Sequence, residues 1–294
     1  MTFPVPASFT AQFDGAELTE RADWLATLPA LAQRYADRWS LRPDGPPLHG
    51  YVGVVWPVRT ADADTPAVLK LSWPHPEAQD EALALATWAG DGTVALLDHD
   101  DADYALLLER LDPHRSLNEE PIDAAVEIAG DLLRTLSVPA PPLHRTVTAA
   151  AREWADRLPR QARALGDPIP ATMLDTVLHH CRQLGPTAGQ LMVNEDLHYF
   201  NVLRGERAPW LLIDPKPIMG DPEFGVIPLL WNRYEETGGA QGVPARFDAI
   251  VRAAGLDREL ARAWTLVRAV VNWLWALPHD FADVLAGIAA AMTG

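Results

Sequence analysis

Apolar residues recur at helical spacing between Leu18 and Trp39, where Leu25, Leu28, Leu31, Tyr35 and Trp39 fall on one stripe. This predicts an amphipathic helix at the start of the chain. The pattern then changes period. Val52 to Val58 and Ala67 to Trp73 are rich in β-branched and aromatic residues and flank the polar stretch Arg59 to Thr65, which reads as a hairpin. Pro74 and Pro76 end the second strand, and a helix is expected from Glu81 to about Trp88, stopping at Gly90. Two more strands, Thr93 to Leu97 and Tyr104 to Leu108, would be joined by the acidic turn Asp98 to Asp103.

Beyond Asp112 helical periodicity dominates. Helices are predicted over Pro121 to Leu136, Val147 to Leu165 and Ala171 to Leu184, and four more from Pro222 onward. Pro159 offers a kink in the second of these, and Pro139, Pro141, Pro142, Pro168 and Pro170 mark loops. One compact β segment, Leu191 to Ile213, interrupts the helices. Trp231, Trp273 and Trp275 sit in apolar helical runs and read as packing residues. The expected fold class is α+β, with a β-rich domain over residues 1–110 and a mainly helical one over 111–294.

Composition narrows the function. The 294 residues are 48% hydrophobic, enough for a sizeable core. A formal net charge of -16 argues against nucleic-acid binding, which wants a basic face, and is compatible with a cationic ligand. The single cysteine, Cys181, permits no internal disulfide and suggests a reducing compartment. The N-terminal residues do not read as a secretory signal, and Ala269 to Pro278 is about half of a membrane span. A cytoplasmic protein is expected.

The chemistry concentrates in Leu191 to Pro222, LMVNEDLHYFNVLRGERAPWLLIDPKPIMGDP. A hairpin that turns at Gly205 to Ala208 brings Asn201, at the start of one strand, beside Asp214, at the end of the other. Asp196 lies five residues ahead of Asn201 and can face the same point. An amide oxygen and a carboxylate suit a magnesium ion carried on phosphates, and a further carboxylate can orient a hydroxyl. Neither G-x-x-x-x-G-K-[ST] nor G-x-S-x-G nor H-E-x-x-H occurs.

This stretch resembles the catalytic loop of the aminoglycoside phosphotransferase superfamily, HGDLHxxN followed by a hairpin and an I-D motif. DLHYFNVLR, PWLLIDPKP, GDPEF and PLLWNR are similar to its streptomycin 6-phosphotransferase and hydroxyurea phosphotransferase branch, as are AVLKLSWPHPEAQDEALAL and LLLERLDP upstream. The resemblance covers nearly the whole chain and implies a protein-kinase-like, two-lobed fold and an ATP- and Mg2+-dependent transfer to a small-molecule hydroxyl. By position it implies Asp196 as catalytic base, with His198 beside it, and Asn201 and Asp214 as metal ligands. Lys70 would bind the nucleotide phosphates and pair with a helix glutamate, Glu81 or its rival Glu77, one turn earlier. Glu109 and Leu111 would offer backbone groups to adenine, and Gly50 and Gly53 belong to the expected nucleotide loop, Gly45 to Gly53.

Three positions depart from the family pattern. Asn194 and Glu195 stand where it has histidine and glycine, and Gly225 replaces the bracing aspartate of GDPxxD. Glu195 could perturb Asp196 or reach toward a cationic substrate. These departures motivate an alternative, a nucleotide-binding pseudokinase acting as a regulator. Retention of Lys70, Asp196, Asn201 and Asp214 favours turnover. Lys216 could meet phosphate charge or pair with Asp221, and Glu153, Asp156, Glu235 and Glu236 could serve a cationic acceptor.

Overall fold

A computed structural model describes residues 3–277 and 281–293. The chain divides into two compact units, one ending at Leu111 and the other opening at Asp112.

The first unit begins with α1 (Ala7–Ala11), too short to leave a periodic signal, and α2 (Gly15–Arg38). There follow β1 (Leu41–Pro43), β2 (Leu48–His49), β3 (Gly53–Thr60) and β4 (Pro66–Ser72), then α3 (Glu81–Trp88), β5 (Leu96–Asp100) and β6 (Ala105–Glu109). The strands form one antiparallel sheet in the order β1-β3-β4-β6-β5, with β2 also paired to β3. Alternation in β3 buries Val54, Trp56 and Val58 on the face that also receives Leu69 and Leu71 of β4. The stripe Leu28, Ala32, Tyr35 and Ala36 of α2 belongs to the same core. Burying side chains as large as Leu28 contributes about 2 kcal/mol each.

Only the second half of the acidic stretch after Leu97, from Asp101 onward, is the turn expected from its composition. Asp98, His99 and Asp100 pair with Leu107, Leu106 and Ala105 as part of β5, with a register shift after Leu96. An edge strand keeps its backbone bonds while its side chains face water, so charge is tolerated and the apolar alternation disappears. Asp100 is paired with Arg38 there.

The second unit contains β7 (Asp112–Ser116), α4 (Ile122–Leu136), β8 (Val138–Pro139), α5 (Val147–Ala164) and α6 (Ala171–Leu184). Next come β9 (Leu191–Asn194), β10 (Val202–Arg204), β11 (Leu211–Leu212) and β12 (Pro217–Gly220). The chain continues through α7 (Pro228–Trp231), α8 (Val243–Ala254), α9 (Arg258–Ala276) and α10 (Phe281–Thr293). The Thr146 hydroxyl caps α5 by accepting from Ala149 N–H at 3.0 Å, and the helix runs on through Pro159. Asp257 caps α9 in the same way.

The single β segment expected here resolves into two small antiparallel sheets, β11-β10-β7 and β12-β9-β8. A strand of four residues carries too short a pattern to reveal a partner more than twenty residues away. Among the tryptophans, Trp231 and Trp273 pack against Ala276, Ala282 and Leu285. Trp275 does not, being 72% exposed. No helix among the described residues is long and apolar enough to cross a membrane.

Candidate active site

In the second unit, β9 and β12 pair with Asn194 opposite Pro217. The chain leaving β9 therefore runs beside the chain entering β12. The Asn194 side-chain oxygen accepts from the backbone N–H of Asp196 at 3.2 Å and of Lys216 at 2.8 Å. Glu195 N–H donates to the Lys216 carbonyl at 3.0 Å. These bonds hold the turn before Asp196, and Lys216 Nζ lies 3.1 Å from Asp196 Oδ2. Lys216 thus meets Asp196.

Asn201 closes a short 3-10 turn, Tyr199–Asn201, rather than opening a strand. Its carbonyl accepts from Ile213 N–H at 2.8 Å, which places Asp214 one residue beyond the paired position. Asn201 and Asp214 accordingly share one end of the β10–β11 hairpin. Asp214 has φ +50°, in the left-handed region, where a residue other than glycine carries a backbone cost of about 1–2 kcal/mol. Such conformations concentrate at functional sites. His198 is half-buried, and its Nδ1 is buried without a hydrogen-bond partner. Desolvation lowers its pKa; Lys216 acts in the same direction, while Asp196 and Asp214 oppose them.

Glu195 is turned into the fold rather than outward. It is 9% exposed and its carboxylate lies 2.5 Å from Arg145 NH1, so its charge is compensated inside the fold. Its carbonyl accepts from Arg268 NH2 at 3.0 Å, and Arg268 NH1 donates to the Phe224 carbonyl at 2.8 Å. The guanidinium, carried by α9 and lying 4.6 Å from the Phe224 ring centroid, ties the turn before Asp196 to the 3-10 turn Pro222–Gly225.

Gly225, which stands in place of the bracing aspartate, sits where a side chain would crowd its neighbours. A Cβ there would sit 2.9 Å from Leu133 Cδ1 and 3.1 Å from the Asn194 carbonyl. Its neighbours brace other segments: Asp221 accepts from Gly189 N–H and Trp264 Nε1–H, and Glu223 accepts from Asp257 N–H at 3.0 Å. Tyr199 is fully buried and donates its hydroxyl to the Leu229 carbonyl at 3.0 Å, linking the loop to α7. Desolvation pushes that phenol up to about 12. Arg268 and Arg145 lie far from the motif in sequence. Only their charge within apolar or proline-bounded stretches hinted at a buried task.

In the first unit, Lys70 lies on the face of β4 opposite Leu69 and Leu71. It is 6% exposed, not on a solvated face. Its Nζ is 2.6 and 2.8 Å from the two Glu81 carboxylate oxygens. A buried ammonium needs such a partner. Gly50 and Gly53 bracket the β2–β3 turn, where Gly50 N–H donates to the Gly53 carbonyl at 3.0 Å. A Cβ at Gly53 would lie 3.1 Å from the Leu71 carbonyl and 3.2 Å from Ser72 Oγ. Glu109 N–H is committed to the Ala95 carbonyl at 2.9 Å, and its carboxylate accepts from Ala95 N–H. That amide is therefore engaged within the first unit. Leu111, half-buried, closes the unit.

Comparison with known proteins gives these groups a family context. The chain is 40% identical over 291 residues to a streptomycin 6-kinase of Streptomyces griseus, covering 97% of this chain and 93% of that one. It is 41% identical over 257 residues to a hydroxyurea phosphotransferase of Kitasatospora aureofaciens, covering 86% and 74%. In fold it is similar to an aminoglycoside phosphotransferase crystallised with ADP and hygromycin B, with TM-score 0.59, 14% identity and coverage of 89% and 97%. It is also similar to a choline kinase of Streptococcus pneumoniae, with TM-score 0.56, 13% identity and coverage of 90% and 98%. The expected α+β, protein-kinase-like fold is the one found. A family profile matches residues 38–279, and the chain belongs to the aminoglycoside/hydroxyurea antibiotic resistance kinases.

Proposed function

We propose that this kinase transfers the γ-phosphoryl group of ATP to a hydroxyl of a streptomycin-like aminoglycoside, with a hydroxyurea-like compound as the second candidate. The observation that carries the reading is the hairpin pairing that sets Asn201 and Asp214 at one end, in a chain with streptomycin 6-kinase relatives. The net charge of -16 favours the cationic candidate.

Asp196 takes the proton of the acceptor hydroxyl and aligns the oxygen for in-line attack, while Lys216 holds the carboxylate in place. Asn201 and Asp214 offer hard oxygens, a donor set that fits a magnesium ion whose other ligands are phosphate and water. Bound there, magnesium would offset phosphate charge. Lys70, fixed by Glu81, is assigned to the α- and β-phosphates, and the Glu109 carbonyl with the Leu111 backbone to adenine. An ATP-dependent reaction belongs in the cytoplasm. The pseudokinase alternative loses its motives: Asn194 supplies hydrogen bonds, Glu195 is compensated by Arg145, and Arg268 ties the loop without an aspartate at Gly225.

The test is ADP release with Mg-ATP and either streptomycin or hydroxyurea. Asp196→Asn should lower kcat by about 10²–10⁴-fold, the usual worth of a positioned base. Parent-like turnover in that variant, or no turnover by the parent with either acceptor, overturns the proposal.

A further inference from the structure

The turn between β2 and β3 is held from outside the sheet. Gln12 Nε2, at the end of α1, donates to the carbonyls of Gly50 at 3.3 Å and Tyr51 at 3.2 Å. Arg21 of α2 reaches the Tyr51 carbonyl at 3.5 Å, and the Tyr51 hydroxyl returns to the Glu17 carboxylate at 2.8 and 3.0 Å. Arg21 is 8% exposed. Its guanidinium carbon lies 4.4 Å from the ring centroid of Phe13, 5.5 Å from that of Tyr51 and 5.7 Å from that of Trp73. Stacking of this kind suits a planar cation and fixes its orientation. All of these helix residues precede residue 38, where the family profile begins to match.

The bonds fall on carbonyls, and that has a geometric consequence. In a planar trans peptide the C=O and the following N–H point in opposite directions. Holding the Gly50 and Tyr51 carbonyls against Gln12 therefore turns the N–H groups of Tyr51 and Val52 away from the helices. Successive backbone N–H groups presented together form an anion-binding concavity.

We propose that the N-terminal helices set the nucleotide affinity of this kinase by orienting the Gly50–Gly53 turn, with Gln12 and Arg21 as positioning residues. The proposal rests on the reading of that turn as the nucleotide loop. Its test is Gln12→Ala and Arg21→Met in the full chain, read by amide hydrogen exchange over residues 48–55 and by Mg-ADP affinity. Gln12 is half-buried at the edge of the turn, so its truncation leaves the fold intact even where Arg21→Met loses stability.

In Gln12→Ala, exchange in the segment should quicken and Mg-ADP should bind about threefold to tenfold more weakly, with an unchanged thermal midpoint. Arg21→Met should move both readouts further in the same direction. Unchanged exchange in both variants overturns the positioning role. Faster exchange with parental Mg-ADP affinity overturns the proposal through the nucleotide-loop reading beneath it. A parent that fails to bind Mg-ADP overturns the proposed function instead.

Discussion

The Lys216 ammonium lies 3.1 Å from Asp196 Oδ2, held there by a backbone that Asn194 fixes at both residues. The amine of the I-D-P-K-P motif is thereby joined to the loop that carries Asp196. Lys216→Met should lower kcat by about 10–100-fold, or about 1.4–2.7 kcal/mol of transition-state stabilisation. Lys216→Arg should recover part of it. Steady-state kinetics decide the matter, and a parental kcat in Lys216→Met removes the lysine from the mechanism.

Arg268 supplies hydrogen bonds to two carbonyls, Glu195 at 3.0 Å and Phe224 at 2.8 Å. Arg268→Met keeps much of the stem packing and leaves both acceptors without this donor, at a cost of about 1–3 kcal/mol for each buried group. The displaced loop should also reduce kcat, while Mg-ADP affinity stays near parental. Urea unfolding and kinetics on the same preparation separate the two effects. A folded variant with undiminished kcat would show that the arginine is structural only.

The ion pair of Lys70 with Glu81 is buried, with side chains 8% and 5% exposed. Removing one partner strips a buried charge of this compensation, so Glu81→Leu should destabilise the protein by about 3–5 kcal/mol. The double variant Lys70→Met/Glu81→Leu should regain much of that loss yet fail to bind Mg-ADP. Calorimetric unfolding with a binding titration provides the check, and retained binding in the double variant would displace Lys70 from the phosphates.

The motifs of this fold were legible where the chemistry is local. The Asp196, Asn201 and Asp214 spacing could be read along the chain, whereas Lys70 in its apolar strand took its expected role from the family resemblance. What escaped was tertiary. β12 is four residues long and opens on a proline, and its pairing with β9 is decided by the intervening hairpin rather than by its own composition. The edge strand Leu96–Asp100 was hidden because water, not a core, faces its side chains. The committed N–H of Glu109 is a backbone matter that no side-chain pattern records.

Glu223 gives a pH dependence. Burial raises its pKa from the ordinary value of about 4.5, and its Oε1 accepts from Asp257 N–H. The native state holds this proton more tightly than the unfolded chain does. Its contribution to stability is therefore full below about pH 4.5 and is lost as pH rises through the raised native value. Glu223→Gln keeps an acceptor oxygen without that loss. Its thermal midpoint at pH 7.5 should equal or exceed that of the parent, with the advantage vanishing toward pH 4. A variant clearly less stable at pH 7.5 would refute this account.

The crowding at Gly225 bears on how such an enzyme can diversify. An aspartate introduced there must displace Leu133 and press on the Asn194 carbonyl, while Arg268 already serves the residues on either side of that contact. Loss of Arg268 in a chain that retains Gly225 strips the turn of its tie. An aspartate at Gly225 and the Arg268 tie thus make demands on the same turn, and exchanging one brace for the other calls for coordinated change at Leu133, Gly225 and Arg268.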